Sequence, residues 1–166
     1  MFELRGSNCG PGALSAVSGE DLEKVLDVLG KEFDRRRATT EIMMMRAMDH
    51  MQLDWRQIEP AFPDYGLARI QWDGPWMALE DRFAPLRHSH WIGSAMHEGD
   101  RMIFDFNAIS FGGWISLREW DEHLRPWLLS TAEPEATGAW WVSDAYEVAP
   151  LPGLSRTRTF EPISDP

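Results

Sequence analysis

The sequence predicts an α+β fold in which N-terminal helices pack on a small antiparallel sheet. Apolar residues recur at helical spacing through the first third of the chain, and β-type runs separated by turn signals dominate the remaining two thirds. Helices followed by a strand meander are typical of α+β architecture. With 166 residues, of which 43% are hydrophobic, the chain is expected to form one core. We therefore predict a single domain over residues 1–148 and an irregular, proline-rich tail over residues 149–166.

Three helices are expected in the first third. The opening MFELRGSNCGPGALSAVSG predicts a short helix beginning near Cys9, since Asn8 suits an N-cap and proline is tolerated in a first turn. Ser18 followed by Asp21 resembles a capping box ahead of a helix over residues 20–34. A third helix is expected to begin at Thr39 or Thr40. It would place a largely methionine stripe in the core: Ile42, Met44, Met45, Met48 and Met51.

The rest of the chain reads mainly as strands. GLARIQW predicts a short strand, and the next segment, from Pro75 to about Arg82, predicts a short helix or turn. The runs HSHWIGSAM and RMIFDFNAI flank HEGD and predict an antiparallel hairpin. Ser116 with Glu119 forms a capping box that opens a helix to about Leu129, and GAWWVSDAYEV predicts a last strand near 139–148.

Composition limits the possible partners. Sixteen Lys and Arg against 27 Asp and Glu give a net charge of −11, which disfavours binding to nucleic acid or an anionic membrane. The sequence has no apolar run of membrane-spanning length and no export signal at its start. An unpaired cysteine suits a reducing compartment, so we expect a cytoplasmic protein.

The sole cysteine, Cys9, lies at the start of the first predicted helix. A helix N-terminus lowers the pKa of a thiol and so favours the nucleophilic thiolate. The alternative is a small buried thiol with no chemical role. A nucleophilic cysteine needs a base and a group that orients the base. If Met96 pairs with Arg101, the hairpin register places Asn107 directly opposite His90.

Three motifs together resemble the papain-like cysteine peptidases, most closely the Josephin type of deubiquitinase. They are Gly6-Ser7-Asn8-Cys9, then His90-Trp91-Ile92, then Phe104-Asp105-Phe106-Asn107-Ala108-Ile109. The chain is also similar to short phage and bacterial proteins with an N-terminal Asn-Cys-Gly and a later His-Trp-Ile. The resemblance covers about a fifth of the chain.

The resemblance implies a papain-like thiol hydrolase acting on a peptide or isopeptide bond, without a metal or organic cofactor. Cys9 would attack the carbonyl carbon, His90 would move the proton, and Asn107 would orient the imidazole. Asp105 is the alternative orienting residue, and His88 is an alternative base on the same strand face. The same triad would also serve acyl transfer. The expected partner is a protein or peptide substrate.

One feature departs from the family pattern. Papain-like enzymes usually carry a glutamine five or six residues before the cysteine, whose amide helps to bind the oxyanion, and here Leu4 and Glu3 occupy those positions. Asn8 or Ser7 is a candidate substitute. An inactive papain-like module that binds a protein partner, such as a phage-encoded inhibitor of a host protein, is therefore the alternative function.

Two further alternatives concern other side chains. One alternative is a metal site formed by titratable residues near the predicted hairpin: His88, His90, His97 and Asp105. It would leave Cys9 without a role. The tryptophans at 114, 120 and 127 are expected in the core, with a peptide-binding surface as the alternative.

Overall fold

The computed structural model describes residues 1–150. Helices α1 (Cys9–Ser18), α2 (Leu22–Arg36) and α3 (Glu41–His50) precede strands β1 (Trp55–Ile58) and β2 (Tyr65–Trp72). A 3₁₀ turn (Pro75–Ala78) and the short helix α4 (Ala84–Arg87) lead to strands β3 (Ser89–His97) and β4 (Asp100–Phe104). A second 3₁₀ turn (Phe106–Phe111) is followed by β5 (Trp114–Ser116), α5 (Leu117–Glu119), a π turn (Trp120–Leu124), α6 (Arg125–Ala132) and β6 (Trp140–Val148).

The strands of residues 1–150 form one antiparallel sheet in the order β1-β6-β2-β3-β4-β5. The predicted α+β class is thus confirmed. β1 and β5 were not expected, because strands of four and three residues carry too little alternation to be recognised. The predicted tail lies outside the described residues from position 151 onward. No helix in the described part of the chain has both the length and the apolar character needed to cross a bilayer.

Both faces of the sheet are covered. The first three helices pack on one face and form the first core, where Leu14, Val17 and Met44 meet Leu67 and Trp91 of the sheet. The segment from α5 to α6 covers the other face and forms the second core, which includes Trp120, Leu124 and Ile92. Neighbouring residues on β3 therefore point into different cores.

The helix starts that the sequence predicts are confirmed in part. Thr40 caps α3, since its hydroxyl accepts a hydrogen bond from the Met43 N–H at 3.3 Å, and Ser116 and Glu119 form the predicted capping box. Asn8 stands at the N-cap of α1 but makes no side-chain cap bond. The capping box expected at Ser18 is wrong, because Ser18 is the last residue of α1 and Asp21 is the N-cap of α2.

The methionine stripe of α3 is largely confirmed as core. Met44 and Met48 are fully buried, and Met43, which was not part of the predicted stripe, is buried beside them. Ile42 is an exception, since 52% of its surface is exposed. α3 contacts the first core with only one side, so residues on the opposite side of the helix face solvent.

The β3–β4 hairpin has the predicted register. Met96 pairs with Arg101, and the ladder continues to Gly93 opposite Phe104. Glu98 and Gly99 form a two-residue turn, both with positive φ (50° and 89°), as a type I′ turn requires. β4 ends at Phe104, so the strand predicted to run on through Ile109 is replaced there by a 3₁₀ turn.

Candidate active site

Cys9 is the first residue of α1 and packs, half-buried, against the first core. Its sulfur accepts a hydrogen bond from the Trp91 backbone N–H and shares another with the His90 side chain. The first turn of a helix favours negative charge. The fold thus brings together the thiol and the histidine that are 81 positions apart in the sequence.

His90 lies on β3, opposite Ile70 of β2, and is 5% exposed. Its ring stacks on Trp72 with a centroid separation of 6.2 Å and an interplanar angle of 20°. The Nε2 atom lies 2.8 Å from Oδ2 of Asp105, to which it donates. Since Nε2 is engaged by the carboxylate, Nδ1 is the ring nitrogen left for the thiol.

Asp105 is fully buried and accepts four hydrogen bonds. Its Oδ1 accepts from the backbone N–H and the side-chain amide of Asn107, both at 2.9 Å. Its Oδ2 accepts from His90 and from the Trp120 indole N–H at 3.0 Å. All the lone-pair sites of the carboxylate are thus used, which fixes its position and favours its ionised form.

The prediction that Asn107 lies directly across the sheet from His90 is wrong. The chain leaves the β4 ladder after Phe104, and Asp105 caps the following 3₁₀ turn, because an Asp side chain readily accepts from an N–H two residues on. Asn107 is in that turn, and its Oδ1 accepts from the Arg5 N–H at 2.9 Å. Asn107 therefore touches Asp105 rather than the histidine.

The electrostatics of the three groups are coupled. Burial opposes charge on the His90 ring, but the Asp105 carboxylate and the Cys9 thiol outweigh it and raise the His90 pKa from 6.5 to about 10. Burial likewise raises the Cys9 pKa, yet the hydrogen bond and positive charge of His90 lower it overall. The pKa of Asp105 is also lowered, since the His90 charge and hydrogen bonds outweigh its burial. The arrangement favours a thiolate–imidazolium pair beside a carboxylate.

The pair opens onto a cleft of about 270 Å³. Its lining includes residues of the N-terminal segment and residues that follow α2, among them Leu4, Ser7 and Arg37. It also includes apolar residues of α4 and α6 together with Glu133. Cys9 and His90 both line this cleft, so a bound molecule can reach them.

The candidate oxyanion donors differ in position. Ser7 lines the cleft, whereas Asn8 is not among the lining residues and its backbone N–H donates to the Arg5 carbonyl at 3.3 Å. Leu4 lines the cleft and is 51% exposed, so an apolar side chain occupies the wall there. The Glu3 carboxylate forms an ion pair with Arg5.

His88, the alternative base, has different neighbours. Its Nδ1 lies 2.7 Å from the Glu133 carboxylate, and its ring stacks on Trp76 with a centroid separation of 3.8 Å. His88 and His90 are thus held by separate acidic partners instead of converging on one point. Within residues 1–150, no three or more His, Cys, Asp or Glu side chains are grouped as a metal ion would need, so the alternative cluster with His97 is not assembled.

Sequence reasoning missed the roles of Trp120 and Glu133. Trp120 was expected only as a core residue; it is buried in the second core, but its indole also donates to Asp105. Its position depends on the π turn at Trp120–Leu124, which no sequence pattern indicated. Searches against protein-family models and against curated proteins find no match for this chain.

Proposed function

We propose that the protein is a thiol hydrolase of papain-like type that acts on a peptide or isopeptide bond. The observation that carries the proposal is the contact chain from the Cys9 sulfur through the His90 ring to the Asp105 carboxylate, at the edge of a cleft. A thiolate held by an imidazolium that a carboxylate orients is the arrangement nucleophilic catalysis requires.

In the proposed reaction the Cys9 thiolate attacks the carbonyl carbon and forms a C–S bond. His90 gives its proton to the leaving amine as the C–N bond breaks, then accepts one from the water that hydrolyses the thioester. Asp105 holds the ring through Nε2, and Asn107 and Trp120 hold Asp105. If an amine replaces water in the second step, the same groups perform acyl transfer.

The reactivity of the thiol tests this proposal. Because Cys9 is the only cysteine, alkylation by iodoacetamide reports on it alone. We expect fast alkylation well below pH 8.5, the ordinary pKa of a free thiol being about 8.5, since the thiolate is already formed. His90→Ala should remove this low-pH reactivity.

His88→Ala is the matched control, because His88 lies two positions away on the same segment but contacts Glu133 instead of the thiol. It should leave the pH profile of alkylation unchanged. An alkylation rate that follows an ordinary thiol pKa in the unmodified protein, with no change in His90→Ala, would exclude the thiolate–imidazolium pair.

The second candidate is a papain-like module that binds a protein partner without turnover. It is favoured by Leu4, which lines the cleft and stands at a sequence position where papain-like enzymes usually carry a glutamine. Electrophilic peptide or ubiquitin-like acyl probes separate the two functions. Covalent capture on Cys9 supports the hydrolase, while a reactive thiolate that no acyl probe labels supports the binding module.

A further inference from the structure

We propose that Glu133 makes the cleft selective for a leaving group, or an acceptor, that carries a positive charge at the end of an aliphatic stem. This inference rests on the proposed thiol chemistry at Cys9 and names the class of amine that departs from it or attacks it. Alkyl diamines and lysine-like side chains have this chemistry.

Glu133 lines the cleft, and its carboxylate is held in place. Only 15% of its side chain is exposed, and one of its oxygens accepts from His88 at 2.7 Å. The His88 ring is itself held by stacking on Trp76. Glu133 directly follows α6, and its backbone N–H donates to the Leu129 carbonyl at 2.9 Å. A carboxylate held in this way binds a cation with little loss of side-chain freedom.

Two further features favour a cation at this position. The C-terminal end of a helix carries partial negative charge, and Glu133 follows the last residue of α6. The cleft lining also includes the apolar residues Leu86, Leu128 and Ala132, which suit methylene groups. The guanidinium of Arg87 also lines the cleft, but it is largely exposed and lies 3.7 Å from the Asp81 carboxylate.

The leaving-group side of the cleft follows from the chemistry. His90 must give its proton to the departing amine, so that amine lies beside the His90 ring. The His88 ring holds Glu133 only two positions away along the same segment. By microscopic reversibility, an amine that attacks the acyl-enzyme occupies the same place. The charge on Glu133 should therefore be visible as a preference among amine acceptors.

The experiment measures how acetyl-Cys9 partitions between amines. Reaction with 4-nitrophenyl acetate first forms the thioester, as the Cys9 thiolate bonds to the carbonyl carbon, 4-nitrophenolate leaves, and His90 releases its proton to solvent. An added amine then forms a C–N bond as the C–S bond breaks, and its proton passes to His90. The ratio of N-acetylation of 1,5-diaminopentane to that of pentylamine is compared between variants, which cancels the intrinsic reactivity of each amine.

We expect the protein to favour the diamine, and Glu133→Gln to lower that ratio by about five- to tenfold, as for loss of a hydrogen bond to a charged group in a partly exposed site. Glu133→Asp should retain part of the preference. Glu135→Gln is the matched control, since this exposed carboxylate is two positions away and does not line the cleft.

A ratio that Glu133→Gln leaves unchanged, while acetyl-Cys9 still forms, would overturn the inference and leave the proposed function intact. An equal drop in Glu135→Gln would overturn it too, because the effect would then come from general surface charge. Absence of any 4-nitrophenolate burst or acetyl-Cys9 would instead count against the proposed function itself.

Discussion

At the scale of single residues, the candidate site depends on how the Asp105 carboxylate is held. One oxygen is occupied by Asn107 and the other by His90 and Trp120. A buried carboxylate without these donors would be costly, since an unsatisfied charged group loses its full hydration energy. Asp105 therefore orients His90, and Asn107 and Trp120 act through Asp105.

Substitutions at Asp105 and Asn107 should have different effects. In Asp105→Asn the carboxylate charge that raises the His90 pKa is absent, so the low-pH alkylation of Cys9 should fall by about tenfold or more, since one pKa unit is a factor of ten. Asn107→Ala leaves the carboxylate in place, so the pH profile of Cys9 alkylation should shift less than it does in Asp105→Asn.

Asn107→Ala should instead lower stability by about 1–3 kcal/mol, because its side-chain amide donates to Asp105 Oδ1 and its Oδ1 accepts from the Arg5 N–H. Urea unfolding measures the stability, and iodoacetamide alkylation over a range of pH measures the reactivity of Cys9. If Asn107→Ala changed the profile more than Asp105→Asn at equal folded fraction, the orienting role would belong to Asn107.

At the scale of elements, the β3–β4 hairpin decides which residue meets His90. His90 lies on the first strand, and Asp105 follows the second by one residue. The tight turn at Glu98 and Gly99 fixes the register between the two strands. Glu98 has φ of 50°, a left-handed conformation that costs an ordinary residue about 1 kcal/mol.

We expect Glu98→Asn to stabilise the protein by about 0.5–1 kcal/mol, because Asn-Gly is the preferred pair for a type I′ turn. Glu98→Gln is the matched control, since it removes the same charge and keeps the left-handed strain. Thermal and urea unfolding measure the change. Equal stabilisation by both substitutions would attribute the effect to charge and not to the turn.

At the scale of the whole molecule, the site couples stability to pH. The raised His90 pKa contributes stability that is fully present below the ordinary His pKa of 6.5 and is lost as pH rises toward about 10. The lowered Cys9 pKa contributes stability that is fully present above the ordinary thiol pKa and is lost as pH falls toward the folded pKa. The two contributions have opposite slopes, so together they change less with pH than either does alone.

Cys9→Ala should change this profile. His90 then has only Asp105 as its charged partner, and the stability from its raised pKa is present below pH 6.5 and is lost as pH rises toward the folded value. The difference in unfolding free energy between the two proteins should therefore grow as pH rises toward the ordinary thiol pKa, with a limiting slope of about 1.4 kcal/mol per pH unit. Urea titrations from about pH 6 to 9 measure it, and parallel curves would contradict the coupling.

The sequence alone determined the features that depend on local chemistry. The position of Cys9 at a helix start follows from the segment itself, and the register of the hairpin follows from its short turn. Helix α3 was predictable because Thr40 and an apolar periodicity mark its start and its buried side.

Only the tertiary structure decided how the site is completed. The chain leaves β4 one residue before Asp105, and that bend exchanges the expected Asn107 for Asp105 beside His90. Trp120 reaches the carboxylate from a π turn, and Glu133 enters the cleft from the end of α6. Such contacts join residues far apart in sequence, so they depend on how helices pack across a sheet, which local spacing does not encode.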